Sequence, residues 1–189
     1  MRCGCSSSCW TQSGAGTEME WHGLSLGKAE PLHSPCSLSM PTQCPLLQEL
    51  RNLASKHPNI IIIPLEVADP ASIKAAAAKV GEHLGGSGLN LLINNAGILN
   101  LNTLDTETLE DMTQVYTTNT IGPLLMGQAF LPLLKKAAQG SPGSGLSCSK
   151  AAIVNISSIG GSIASDFRWD LIQGTSYRCS KVLSHLCFP

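Results

Sequence analysis

Tyr177 and Lys181 stand four residues apart in a stretch that reads as helix, so both project from one face. An ammonium close to a phenol favours the phenolate, which is the condition for passing a proton to or from a substrate oxygen near neutral pH. Ser157 and Ser158 follow the apolar run Ile153-Val154-Asn155-Ile156. That is the carboxyl end of a strand, the edge at which open α/β sheets bind ligands. A hydroxyl there can donate to a carbonyl and stabilise the negative charge that develops on it. Taken singly, each signal also has a plain reading: serines turn a chain after a strand, and a Tyr-x3-Lys pair arises by chance.

Asn119 adds a third component. It lies in Thr117-Thr118-Asn119-Thr120-Ile121-Gly122-Pro123, within a long helical stretch. Pro123 has no N–H, so the carbonyl of Asn119 loses its helical partner and is open to a water. A bend around a satisfied polar residue is the alternative. Asn94-Asn95-Ala96-Gly97 closes an apolar strand. Small residues there let a backbone approach a flat ligand, and asparagine amides can bridge neighbouring strand ends.

The elements that must position these residues follow from periodicity. Residues 45–54 carry leucines at helical spacing behind Pro45 and end at His57-Pro58. Residues 59–67 contain Ile60-Ile61-Ile62-Ile63, the pattern of a strand buried on both faces. Asp69-Pro70 caps a helix over 71–84, which stops in Gly85-Gly86-Ser87-Gly88. A strand over 89–93, a long helix over about 106–138, a strand over 151–156 and a final helix from Ser176 complete the order. Alternating strands and helices imply a doubly wound parallel sheet. Residues 1–44 show no strand or helix period and are expected to be a disordered, unrelated segment, leaving 45–189 as the folded domain.

Composition narrows the function classes. A formal charge of −1 and 43% hydrophobic residues fit a globular protein and favour neither nucleic acid nor a membrane as partner. No run approaches the roughly 20 apolar residues of a membrane span, and MRCGCSSSCWTQSG has no apolar core and is not read as a signal peptide. A cytoplasmic protein with reduced thiols is expected. Five of the eight cysteines fall in the first 44 residues, but the Cys3, Cys5, Cys9 spacing lacks a two-residue knuckle, so no metal site is expected.

Together, Asn94-Asn95-Ala96-Gly97, Asn119-Thr120-Ile121-Gly122-Pro123, Val154-Asn155-Ile156-Ser157-Ser158 and Tyr177-Arg178-Cys179-Ser180-Lys181 resemble the short-chain dehydrogenase/reductase family, nearest its C-factor-like, sniffer-type carbonyl reductases. The likeness runs from about residue 47 to 186. It implies a partial Rossmann-like fold, NADP or NAD as cofactor and a small carbonyl compound as substrate. By that resemblance Tyr177 is the general acid, Lys181 holds the nicotinamide ribose and assists Tyr177, and Ser158 orients the carbonyl, with Ser157 second choice. Asn119 holds a water through its main-chain carbonyl. Glu66, Val67, Asn95, Ala96 and Gly97 line the cofactor, with Glu66 standing where the family usually has Asp. The Ser158–Tyr177 separation of 19 residues matches the C-factor-like branch, and residues 166–170 fill the longer loop.

The sequence departs from the family at one point that bears on activity. It contains no Thr-Gly-x3-Gly-x-Gly turn; Gly14-Ala15-Gly16 is the nearest cluster and follows no apolar strand. In the family's sheet order, 3-2-1-4-5-6-7, the expected strands are the third, fourth and fifth. The first two strands, which belong in the middle of the sheet, are therefore expected to be missing, as are the last two. A short final helix would weaken the family's homodimer. The alternatives to a working oxidoreductase are a catalytically inactive splice or mispredicted fragment, and a fragment that binds a full-length homologue.

Overall fold

The computed structural model describes residues 19–21, 24–26, 34–38, 45–57, 60–139, 150–164 and 173–186. Three short strands come first: β1 (Met19–Trp21), β2 (Leu24–Leu26) and β3 (Ser34–Leu38). Helix α1 (Pro45–Lys56) opens on its proline and closes ahead of His57-Pro58, as a residue before proline disfavours helix. Strand β4 (Ile60–Pro64) follows. Helix α2 (Pro70–His83) starts where Asp69 accepts from the N–H groups of Ala71 and Ser72, at 2.9 and 3.2 Å. It buries Ile73, Ala76 and Val80, one face at helical spacing.

Strands β5 (Leu91–Asn94) and β6 (Gly97–Leu99) flank Asn95-Ala96. Helix α3 (Leu109–Tyr116), capped by the Thr108 hydroxyl, runs into a π-turn (Thr117–Ile121) and then α4 (Gly122–Gln139). Strand β7 (Ala152–Asn155), a 3-10 turn (Ile159–Gly161) and α5 (Thr175–Leu186) complete the described order. Phe130, Met126 and Leu134 of α4 meet Ile73 and Val80 of α2 over Leu92 and Ile63 of the sheet, forming the core.

The main sheet has the order β4-β3-β2-β5-β7. β3 runs parallel to β4, and β5 parallel to β7, with Asn94 opposite Asn155. This is the expected partial Rossmann-like α/β arrangement, with one difference of content and one of direction. The two central places that the sequence leaves without a strand are taken by β3 and β2. β2 runs antiparallel to both neighbours, pairing Leu24 with Ile93 and Leu26 with Leu91, so the sheet is mixed. The expectation that residues 1–44 hold no strand is therefore corrected over β1, β2 and β3. Each is only three to five residues long, too short for periodicity to register, and pairs with strands distant in sequence. Met19–Trp21 pairs antiparallel with β6.

The single long helix expected over 106–138 is also corrected. The Gly122 N–H donates to the Thr117 carbonyl five residues back, and Pro123 offers no N–H to resume the ordinary ladder at Asn119. Residues 1–18, with Cys3, Cys5 and Cys9, and residues 140–149 and 166–170 lie outside the described residues.

Gly88, just ahead of β5, lies hard against α4. A Cβ there would lie 2.0 Å from the Ala137 nitrogen, and the next N–H, of Leu89, donates to the Leu133 carbonyl at 3.0 Å. Gly88→Ala is expected to cost about 3 kcal/mol in urea denaturation, since backbone must move. Gly81→Ala, whose Cβ would meet only Leu133 Cδ2 at 3.7 Å inside α2, is expected to stabilise by about 0.8 kcal/mol.

Candidate active site

The site gathers at the carboxyl ends of β5 and β7, which Asn94 and Asn155 tie together: Asn94 Nδ2 donates to Asn155 Oδ1 at 2.8 Å. This is the strand-bridging role that asparagine suits there. The chain then turns through Asn95 and Ala96, both half-buried, into Gly97. A Cβ at Gly97 would lie 3.2 Å from Asn119 Oδ1 and 3.4 Å from Lys181 Nζ. Glycine at this position thus lets three elements converge.

Asn119 is 2% exposed and sits inside the π-turn. Its Oδ1 accepts from the Ile98 N–H at 2.8 Å, and its Nδ2 donates to the Ile98 carbonyl at 2.9 Å. The amide therefore satisfies one edge of β6 as a neighbouring strand would. Nδ2 also donates to Ser180 Oγ at 2.9 Å, reaching α5. The side chain of Asn119 thus does more than sequence reasoning assigned to it, which concerned its main-chain carbonyl alone.

Tyr177, Ser180 and Lys181 fall at i, i+3 and i+4 on α5. Lys181 is buried, its Nζ donates to the Ile156 carbonyl at 3.0 Å, and it lies 5.5 Å from the centre of the Tyr177 ring. Burial pushes the Lys181 ammonium down to about 8. Ser158 sits beyond β7 and accepts the Gly160 N–H at 3.1 Å, starting the 3-10 turn. A Cβ on Gly160 would stand 3.5 Å from Ser158 Oγ and 3.6 Å from Tyr177 Cε1, so the serine hydroxyl and the edge of the tyrosine ring both flank Gly160. Ser157 instead turns back, its Oγ donating to the Lys181 carbonyl at 3.4 Å.

The start of α5 is held from outside. Glu107 Oε2 accepts the Ser176 N–H at 3.0 Å, and the Asn102 carbonyl accepts from Gly174 N–H at 3.1 Å. A carboxylate at a helix N-terminus is favoured by the orphan N–H groups and the dipole. Among the sequence-predicted cofactor residues, Glu66 lies in the exposed turn after β4, its Oε1 accepting from the Ala68 N–H at 3.0 Å. Val67 is buried, and its carbonyl lies 2.9 Å from where a Gly122 Cβ would be, so it backs the π-turn. Sequence reasoning missed Ser180 and Glu107. For Ser180 a signal existed, the shared helical face with Tyr177 and Lys181; for Glu107, 69 residues from Ser176 in sequence, there was none.

The short chain dehydrogenase family model matches residues 38–183. The chain belongs to that family. Among solved structures it is similar to the NADPH-bound carbonyl reductase from chicken fatty liver, with 65% identity and a TM-score of 0.77, over 80% of this chain and 56% of that one. It is also similar to the carbonyl reductase Sniffer of D. melanogaster, with 31% identity and a TM-score of 0.71, over 79% and 58% of the two chains. The human 17-beta-hydroxysteroid dehydrogenase type 2 is 36% identical over 119 residues, 62% of this chain and 27% of that protein. The chain thus spans little more than half the length of these solved structures. Among the described residues no helix is long and apolar enough to cross a membrane.

A nicotinamide cofactor, which the family implies, fits one end of this site. The Lys181 ammonium lies against Gly97 at the carboxyl end of β5, and an ammonium is a donor suited to sugar hydroxyls. For the pyrophosphate end the family relies on a glycine turn entering a helix, and the sequence contains no such turn.

The lowered value of Lys181 has a defined consequence for stability. Between about pH 8 and the ordinary 10.5 the unfolded chain keeps a proton that the folded chain has released, so this group makes stability rise with pH across that window. Below pH 8 both states are protonated, and the cost of burying the charge is full. From pH 7 to 10.5, the unfolding free energy of the wild type is expected to gain on that of Lys181→Met by on the order of 3 kcal/mol, read from denaturation curves at each pH.

Proposed function

We propose that this chain carries the proton-delivery site of an NADP-dependent carbonyl reductase acting on a small carbonyl compound. The observation that carries this reading is the Lys181 ammonium, buried 5.5 Å from the centre of the Tyr177 ring on the same helix, with Ser158 Oγ and the edge of that ring both beside Gly160. Bound NADPH would supply hydride to the carbonyl carbon. The chain's own residues then have separate tasks. Tyr177 gives its phenolic proton to the carbonyl oxygen as negative charge develops there. Ser158 orients that oxygen by donating a hydrogen bond, and so stabilises the same charge.

Lys181, held by the Ile156 carbonyl, keeps a positive charge near the tyrosine at neutral pH and reaches the cofactor's ribose beside Gly97. Asn119 keeps β6 and α5 in register through its side chain, and its main-chain carbonyl is the relay point for a water. Asn95, Ala96 and Gly97 line the nicotinamide side, while Glu66 and Val67 stand for the adenine side. The 65% identity to an NADPH-bound carbonyl reductase supports NADP over NAD and supports the carbonyl substrate class.

A second reading, a catalytically silent chain, is favoured by β2. It occupies the sheet's central place in the reverse direction, so its carboxyl end points away from the edge where Asn94 and Asn155 lie. A strand in this direction has its carboxyl end at the edge opposite the one where open α/β sheets bind ligands. Calorimetric titration of the monodisperse 189-residue chain with NADPH, followed by NADPH oxidation with an aromatic aldehyde, separates the two. The carbonyl reductase reading expects saturable binding and turnover that falls at least 100-fold in Tyr177→Phe, a general acid being worth roughly 10²–10⁴. A folded chain with no saturable binding establishes the silent reading instead.

A further inference from the structure

Ser180 is fully buried, lies beside Lys181 in sequence and is one helical turn from Tyr177. Its hydrogen bonds are determined by those of Asn119. Asn119 Oδ1 accepts from the Ile98 N–H, which fixes the orientation of the amide. Its two Nδ2 protons are then committed, one to the Ile98 carbonyl and one to Ser180 Oγ. Ser180 must therefore accept from Asn119, and its own proton goes to the Tyr177 carbonyl at 2.7 Å. A third link comes from the next residue of the π-turn: Thr120 Oγ1 donates to the Ser180 carbonyl at 3.4 Å.

These contacts form one connected path from β6 to α5. Ile98 holds the asparagine, the asparagine holds the serine, and the serine holds the turn that carries Tyr177 and Lys181. We infer that Ser180 is a positioning residue, whose hydroxyl fixes the Tyr177–Lys181 turn against the π-turn so that the Lys181 ammonium stays between Gly97 and the Ile156 carbonyl. It acts through Tyr177 and Lys181 and touches neither substrate nor cofactor. This rests on the reading of those two residues as the reacting pair.

Packing alone does not require a hydroxyl, because alanine fills nearly the same volume. Removing it leaves an Asn119 Nδ2 proton without its acceptor at a site 2% exposed, so the amide or the helix must move to find another. Around the Lys181 ammonium stand the Tyr177 ring on its own helix, and Gly97, Asn119 and the Ile156 carbonyl on the elements packed against it.

The test is an NMR titration of the full chain labelled with ¹³Cε-lysine, the Lys181 signal being assigned by its loss in Lys181→Met. In the wild type this signal is expected to titrate near 8. In Ser180→Ala, with folding checked by circular dichroism, the midpoint is expected to rise by a unit or more towards 10.5, as the turn loosens and water reaches the ammonium. Ser180→Thr, which keeps the hydroxyl, is expected to restore the wild-type midpoint. Ser180→Cys enlarges the side chain only by the difference between sulfur and oxygen and makes weaker hydrogen bonds, and its midpoint is expected to rise as in the alanine variant if that variant does not fold. A midpoint unchanged in Ser180→Ala or Ser180→Cys, or moved as far in Ser180→Thr, overturns the inference. Because the titration needs no turnover, absence of NADPH oxidation by the wild type counts against the functional reading alone.

Discussion

A buried amide holds this site together. Asn119 stands where β6, the π-turn and α5 meet, and its three polar contacts all go to protein atoms. Burying an amide without partners costs several kcal/mol, so the arrangement is stable only when Ile98 and Ser180 are both in place. That requirement is what makes the geometry specific. A helix shifted by one residue would take Ser180 Oγ away from the amide and move the Tyr177–Lys181 pair with it. The π-turn follows from the same requirement, since it lets the chain turn Asn119 inward ahead of Pro123.

Lys181 depends on this frame. A buried ammonium is unfavourable, and here it is offset by the Ile156 carbonyl and by the face of Tyr177. The lowered affinity for its proton is the electrostatic record of that position. A lysine in solvent would keep its proton to much higher pH and would be free to swing away from the tyrosine. The site therefore trades some stability at neutral pH for a fixed positive charge beside a phenol.

The centre of the sheet shows how backbone hydrogen bonding can be met by strands of unrelated sequence. β4 and β5 each need a partner on the inner side, and β3 and β2 provide them. Ladder formation requires only extended backbone in register, so short segments such as Leu24–Leu26 suffice. The direction of β2 has consequences for chemistry that its pairing does not. A strand in that place running parallel to β5 would deliver the chain to the ligand-binding edge, whereas the reversed strand delivers it to the opposite one.

The sequence by itself determined the local elements whose signals are short-range. Asp69-Pro70 set the start of α2, the isoleucine run set β4, and the Tyr177–Lys181 spacing put both side chains on one helical face. Those are matters of capping, β-branching and helical pitch, each decided within a few residues. What only the tertiary structure decided are the contacts between elements far apart in the chain. Glu107 meeting Ser176 spans 69 residues, and Asn119 meeting Ser180 spans 61. The side-chain role of Asn119 was hidden because an asparagine before a Gly-Pro reads first as a helix bend, and only burial shows which partners its amide has. β1, β2 and β3 were hidden for a related reason: strands of three to five residues carry too little period to be read alone, and exist through the neighbours that hydrogen-bond to them.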